Sequence, residues 1–517
     1  MTTAWTDGYQ TTVNYTYGYY RDLSPNFQKF CLLLNGVDIP EQQEETTHCE
    51  LGFGQGLSLA FHATSSLAKF YGTDFNPAHA AHAKQLAAKG KIDAQFYDDS
   101  FEELLNRNDL PLFDSISLHG IWSWISHENQ NYILQFIRKF LKPNGVVYIS
   151  YNCLTGWATN MPVRELFHSH FNFNSKSANP LQKVQDALNF SEDLLQKNPI
   201  FAQRNPQALN KVQELKNQNP NYLIHEYLNQ DWQCFSFQQI VRIFEDIKMS
   251  YAGSTDLNYH IENINLSPEN LAFLNQIEHP IFREQCRDYF TNTQFRRDLF
   301  IRGKNQLTVL QIQERLRKIP FVLLNIKANF PKNISGLLGT FQLLENIYNP
   351  LGDLFEKESY RPLTIAEIEQ NFPQLNFSQL ANAMVILCQL GLAQPCQAPQ
   401  PEKIVEQTHQ LNLYLLEQSH FHQNYQFLVS PITGMAITVS HFNQLFYYGL
   451  VVKQLKTAKE LAEHAQETLE KLGWFVLDEN QQSITDKAKS LKAVKKHAEN
   501  FLATEPMLIA KNLKLFA

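Results

Sequence analysis

Between Thr46 and Tyr151, short apolar runs alternate with longer stretches in which apolar residues recur every three or four positions. THCEL, KFYGTDF, AQFY, FDSISLH and GVVYISY predict strands, and the stretches after Gly56, after Pro77, after Ser100 and from His127 to Leu141 predict helices. Strict alternation with crossovers this short predicts an α/β fold, a parallel sheet wound with helices on both faces. After Tyr151 the alternation stops. Residues of about 162–232, rich in Asn, Gln, Phe and Leu, read as helices and loops. SFQQIVRIFEDI then predicts a helix, and KMSYAGSTDLNYHI predicts extended chain broken at Gly253. These read as the last helix and closing strands of the first domain, which makes 162–232 an insertion.

From about Ser267 the period is helical. PLTIAEIEQ and FSQLANAMVILCQLGL give a three-helix pattern over about 361–395. LKTAKELAEHAQETLEKLGWFVLDENQQSIT repeats that rhythm and ends in a strand pair turned at Asp478–Asn480. Both resemble winged-helix units. The expected organisation is a first domain over 1–265, a helical middle domain over 266–400 and a winged-helix-like domain over 401–517.

Composition narrows the function classes. A chain of 517 residues is too long for one core. Its 44% hydrophobic and 18% charged residues are those of an ordinary globular protein. A net charge of -7 without a basic stretch counts against nucleic-acid binding, and NFSQLANAMVILCQL, the recognition-helix position of the first winged unit, has no Lys or Arg. Lys487, Lys489, Lys492, Lys495 and Lys496 are flanked by acids and read as a solvated helix face. Seven scattered cysteines without CxxC spacing predict neither disulfides nor a metal site, but reduced thiols in a cytoplasmic protein. MTTAWTDGYQ has no leader character, and no apolar run is long enough for membrane insertion.

The sharpest chemical signal is Glu50-Leu51-Gly52-Phe53-Gly54-Gln55-Gly56, between the first strand and the first helix. Glycine there permits positive φ and close approach of a ligand, and the amides of the helix N-terminus face it. The dinucleotide fingerprint wants its third glycine where Leu57 stands, and no Gly-Lys-Ser/Thr follows for a phosphate loop. Asp74 ends the second strand, where a carboxylate accepts ribose hydroxyls. Asp98-Asp99-Ser100 follows the third strand, His119-Gly120-Ile121-Trp122 the fourth, and Leu141-Lys142-Pro143-Asn144-Gly145 precedes the fifth. Asp99 and Asn144 also read as plain turn residues. The aromatic segment from Tyr15 to Pro25, YTYGYYRDLSP, reads either as a flap packed on the sheet or as a lid over a cationic ligand.

The E-x-G-x-G-x-G loop resembles motif I of class I methyltransferases. YTYGYYRDLSP, ELGFGQG, YGTDFNP, LHGIWSWIS and DYFTNTQFRRDLFIRG together resemble the group carrying a methyltransferase regulatory domain, which includes rickettsial lysine methyltransferases of outer-membrane proteins. The resemblance implies a Rossmann-like sheet, S-adenosylmethionine as cofactor, and a homodimer with 162–232 as the dimerisation candidate. It implies cofactor contacts at Glu50, Gly52, Gly54, Gly56, Asp74, Asn76, Asp98, Asp99, Ser100 and His119. Tyr17, Tyr20 and Trp122 are candidates for the reaction cleft, with His119 or a tyrosine as a base.

The reaction would be an in-line displacement resting mostly on alignment. LHGIWSW stands where nucleobase methyltransferases carry an Asn/Asp-Pro-Pro-Tyr/Phe turn, which turns the reading from nucleobases to proteins or small molecules. Three functions are weighed. A protein-lysine methyltransferase would use the large remainder as an extended cleft. A small-molecule, lipid or sugar methyltransferase would need a closed pocket. A scaffold would bind nucleotide without catalysis.

Overall fold

The computed structural model describes residues 16–39, 46–478 and 480–516. Tyr15, the leader reading on MTTAWTDGYQ, and Glu479 of the expected Asp478–Asn480 turn lie outside the described residues.

The alternation read from the sequence folds as expected. Strands β1 (Thr47–Leu51), β2 (Lys69–Thr73), β3 (Ala94–Tyr97), β4 (Phe113–Leu118) and β5 (Leu141–Asn152) are joined by helices α2 (Leu57–Thr64), α3 (Pro77–Gly90), α4 (Phe101–Asn106) and α5 (His127–Phe140), with α1 (Pro25–Leu34) ahead of them. With β6 (Ser250–Ser254) and β7 (Phe295–Ile301) they form a seven-stranded sheet in the order β3-β2-β1-β4-β5-β7-β6. The first five strands run parallel, and β7 is antiparallel to both its neighbours.

Both faces of the sheet are covered, which is why β1 is buried at every position. Successive β5 residues serve opposite sides: Val146 and Tyr148 pack with α1, α2 and α3, while Val147 and Ile149 pack with α4, α5 and helix Phe237–Glu245. The LKPNG turn is absorbed into β5 as an irregularity. Phe113 pairs Leu141 but Ser115 pairs Val146, and Asn144 takes φ 59.

The seventh strand lies outside the stretch read as the first domain. Residues 295–301, assigned by periodicity to the middle domain, pair with β5 and β6 and complete the sheet. The boundary at 265 is therefore corrected: between β6 and β7 the chain forms helices Pro268–Asn275 and Pro280–Thr291, then returns.

Between β5 and helix Phe237–Glu245, five helices from Met161–Phe173 to Pro220–Tyr227 enclose their own apolar cluster, including Trp157, Phe167, Leu188, Val212 and Ile224. Further on, strands Leu363–Thr364, Pro320–Leu323 and Ala393–Pro395 form a small antiparallel sheet beside helices Glu345–Lys357, Ile365–Asn371 and Phe377–Gln389. Its middle strand comes from ahead of the 361–395 pattern. Helices Ala458–Leu472 and Lys487–Ala503 flank a short antiparallel bridge between Leu477 and Ser483. The apolar core under α1–α3 continues through Leu411, Leu428 and Phe446 to Phe516. Among the described residues, no helix is long and apolar enough to cross a membrane.

Candidate active site

A cavity of about 430 Å³ opens at the carboxyl edge of the parallel strands, where open α/β sheets bind ligands. The loop after β1 forms one wall. Gly52, Gly54 and Gly56 all take positive φ (70, 57 and 77), a region cheap only for glycine. A Cβ on Gly52 would stand 2.3 Å from Ile121 Cδ1, so a side chain there would push into the opposite wall.

Asp74, just past β2, is tied to this loop. Its Oδ2 accepts from the Gly54 N–H at 2.8 Å, and Oδ1 accepts from the Asn76 N–H at 3.1 Å and lies 3.0 Å from His79 Nδ1. Each carboxylate oxygen retains accepting capacity toward a ligand. Glu50 is buried beside it. Burial pushes the Glu50 carboxyl up to about 8, and the Asp74 charge adds to the rise.

Asp99 and Ser100 continue the wall. Ser100 caps α4 through a reciprocal pair with Glu103, and Asp99 Oδ2 takes the Arg107 guanidinium at 2.9 Å. Glu102 and Glu103, in the first turn of α4, also reach the cavity. Five carboxylic residues (Glu50, Asp74, Asp99, Glu102, Glu103) line the space, and its described lining includes no Lys or Arg.

The aromatic segment crosses the mouth as an extended strap with two faces. Thr16, Gly18 and Tyr20 line the cavity. Tyr17 and Tyr19 turn the other way: Tyr17 packs edge-on to His82 and Tyr425, and the Tyr19 hydroxyl accepts from the Ala436 N–H at 2.9 Å. Asp22 anchors the strap to Arg297 of β7 at 3.4 Å. Burial would raise the Asp22 carboxyl, but Arg297 and Arg21 outweigh it and hold it below the usual range.

His119 lies beneath the strap, its ring 4.0 Å from that of Tyr20 and its Nδ1 2.8 Å from the Tyr148 hydroxyl. Burial lowers its pKa to about 4 against the pull of Asp22, so the imidazole is neutral at pH 7.

The structure gathers Tyr20, Glu50, Gly52, Gly54, Asp74, Asp99, Ser100 and His119 around one space. Five other sequence candidates do not line it, each for a local reason. Gly56 caps α2 and faces α3, where a Cβ would meet that of Ala83 at 2.5 Å. Asn76 caps α3 by accepting from the Ala78 N–H. Asp98 points outward to Lys84 at 3.5 Å. Tyr17 is on the far face of the strap. Trp122 is fully buried against Phe235 and Phe244, and Trp124, two residues on, faces the cavity in its place. His79 and Trp124 went unremarked in the sequence. An i, i+3 offset from the cap Asn76 could have flagged His79, but nothing in IWSWI distinguishes its two tryptophans.

Residues 49–145 match a family described as Methyltransferase domain, and residues 219–302 match one described as Predicted methyltransferase regulatory domain. The second match spans β6, β7 and the helices ahead of them. The chain is 34% identical over 519 residues to the uncharacterized protein sll1526 of Synechocystis sp., covering 98% of this chain and 99% of that one. It is 26% identical over 270 residues to the uncharacterized protein RP789 of Rickettsia prowazekii, 52% of this chain and 47% of that one. The solved structure of PKMT2 from Rickettsia typhi in complex with AdoHcy shares the fold, with a TM-score of 0.70 at 19% identity over 96% of this chain and 99% of that one. The chain belongs to the class I S-adenosylmethionine-dependent methyltransferases that carry a methyltransferase regulatory domain.

Proposed function

We propose that the protein transfers methyl groups from S-adenosylmethionine to lysine side chains of proteins. The observation that carries the reading is the acidic lining of the cavity: five carboxylic residues and, among the described residues, no Lys or Arg. Such a lining repels phosphates and favours a ligand with a sulfonium and an ammonium, and it equally favours an alkylammonium acceptor. A volume of about 430 Å³ falls within the range of small-molecule sites. When bound, the cofactor supplies an activated methyl group. In this reading the Gly52–Gly54 backbone and Glu50 hold its amino-acid end, Asp74 its ribose hydroxyls and Asp99 its adenine end. The likeness of fold to PKMT2, solved in complex with AdoHcy, supports the same ligand here.

Tyr20 covers the space and excludes water, while neutral His119 orients by hydrogen bonding without adding positive charge. The large remainder beyond the sheet supports a macromolecular acceptor. We further propose that the chain dimerises through the inserted helices, where Phe173 and Ile200 are 87% and 62% exposed. Light scattering on a 165–230 deletion tests this, and a persisting dimer would reject it.

The test of function is transfer of tritiated methyl from labelled cofactor to a cell lysate. Label in protein bands that is lost on lysine acetylation supports the proposal. Label confined to the low-mass fraction would replace it with a small-molecule acceptor, and no transfer would favour a binding scaffold.

A further inference from the structure

The inserted helices reach the cavity wall beside Trp124. Helix Pro220–Tyr227 packs on the loop after β4, where the Trp124 indole N–H donates to the Glu226 carbonyl at 3.4 Å. One turn earlier, Tyr222 lies within electrostatic range of Tyr20. The sheet reaches the same point. In β5, Ser150 Oγ accepts from the Gly120 N–H at 2.8 Å, on the cavity wall, so Asn152 two residues on points to the same face. Asn152 favours the charged form of the Glu226 carboxyl, and its buried Nδ2 has no hydrogen-bond partner among the described residues. Phe295, in register with Asn152, lies 5.9 Å edge-on from His119 and 6.5 Å from Trp124.

No fixed cation claims this carboxylate. Among the described residues, no Lys or Arg nitrogen is paired with Glu226. Arg164 donates to the Asn229 carbonyl at 2.8 Å, lies 3.8 Å from Glu165 and sits over the Trp232 ring. Lys211 pairs with Glu214 at 3.4 Å. Glu226 also acts on Tyr222, Tyr227 and Cys234, which burial raises and keeps uncharged at neutral pH, and the buried His225 precedes it on the helix. Burial pushes Glu226 up to about 7, against the Asn152 amide and the more distant Arg164 and Lys211.

We propose that Glu226, carried by the inserted helices, receives the alkylammonium group of the acceptor at the Trp124 end of the cavity and removes its proton. The proposal rests on the methyltransferase reading and assigns that site its proton acceptor. The proton passes from the ammonium nitrogen to a Glu226 carboxylate oxygen. The electron pair of the broken N–H bond stays on nitrogen as the lone pair a methyl acceptor needs, and the resulting carboxylic acid returns its proton to water. The Tyr20, Trp124 and Phe295 rings attract the ammonium before transfer. His119, held near pKa 4, is too weak a base for this step, whereas a carboxyl near neutrality is better matched.

The experiment compares three ligands by calorimetry between about pH 5.5 and 9: AdoHcy, an adenosyl analogue with an aminoethyl arm in place of the transferable methyl, and its hydroxyethyl isostere. Wild-type protein should prefer the ammonium analogue over the isostere by about tenfold at high pH, with the preference shrinking as pH falls through 7 and Glu226 is protonated. Glu226→Gln should bring the two within about twofold at every pH while AdoHcy affinity holds, and Glu226→Asp should restore part of the preference. A pH-independent preference in the wild type, or one retained in Glu226→Gln, would overturn the proposal. Failure of the wild type to bind AdoHcy would instead remove the methyltransferase reading, and this proposal with it.

Discussion

Two groups of buried charge share the central sheet and are built in opposite ways. In β7, Arg296 is fully buried, and nearly every direction around it is occupied. Nη1 meets Asp288 at 2.7 Å, Nε meets Asp298 at 2.8 Å, Nη2 donates to the Tyr251 hydroxyl at 3.2 Å, and the plane lies over the Phe237 ring. Tyr151 adds a bond to Asp298 at 2.7 Å. At the glycine loop, Glu50 and Asp74 are also buried, yet among the described residues only His79 and two backbone amides answer Asp74, and both carboxyls line the open cavity. Charge satisfied within the protein fastens helix Pro280–Thr291 to the sheet. Carboxyl groups facing a hole, with burial holding the Glu50 proton on, stay available to a cationic ligand.

This contrast can be broken most forcefully at Arg296. Arg296→Met should leave Asp288 and Asp298 buried without their cation and cost about 3–5 kcal/mol in denaturant unfolding; a loss under about 1 kcal/mol would erase the distinction. Next comes the open site. Gly54→Val, at φ 57, should lower AdoHcy affinity about 100-fold in calorimetry, equivalent to about 2.7 kcal/mol, in a chain that is strained there but still unfolds cooperatively. Unchanged affinity would count against the loop as a cofactor cradle.

A subtler effect follows from Glu50, whose pKa rises to about 8 on folding. The folded state then holds a proton that the unfolded chain has released, so stability falls as pH rises from the ordinary carboxyl range to about 8. Glu50→Gln should match wild type near pH 4.5 and exceed it by about 2 kcal/mol at about pH 6, the gap widening until about pH 8, with ligand absent. A parallel pH profile for the two proteins would refute the raised Glu50 carboxyl. Smallest of all is Asp98→Asn. Removing its exposed partnership with Lys84 should change stability by less than about 0.5 kcal/mol and AdoHcy affinity by less than twofold, whereas Asp99→Asn should weaken binding measurably.

The parts legible in the sequence were those whose cause is local. Five strands and four helices follow apolar periodicity, and the glycine loop declares itself because three positive φ values at alternate positions are cheap only for glycine. β7 escaped because FRRDLFI carries Arg296 and Asp298 at buried positions. Ions that neutralise one another look, to a hydropathy pattern, like solvent-facing residues. Asn76 and Gly56 stood at the right turns but were spent on capping helices. The two tryptophans of IWSWI differ only by the rotation of a short 3-10 turn, and that rotation decides which one faces the cavity. Glu226 left no trace at all. Its proximity to Asn152 exists only because a helix some 74 positions further along the chain folds back over the end of β5.

The strap at the cavity mouth is stitched to distant parts of the chain. Arg21 donates to the Cys388 carbonyl at 2.8 Å, and Asn26 bridges the Pro395 and Thr433 carbonyls at 3.0 Å each. Trimming the polypeptide to its recognisable catalytic half would therefore strip the backing from Tyr20 and leave the doorway unframed. The downstream half is thus a doorpost of the entrance as well as a neighbour to it.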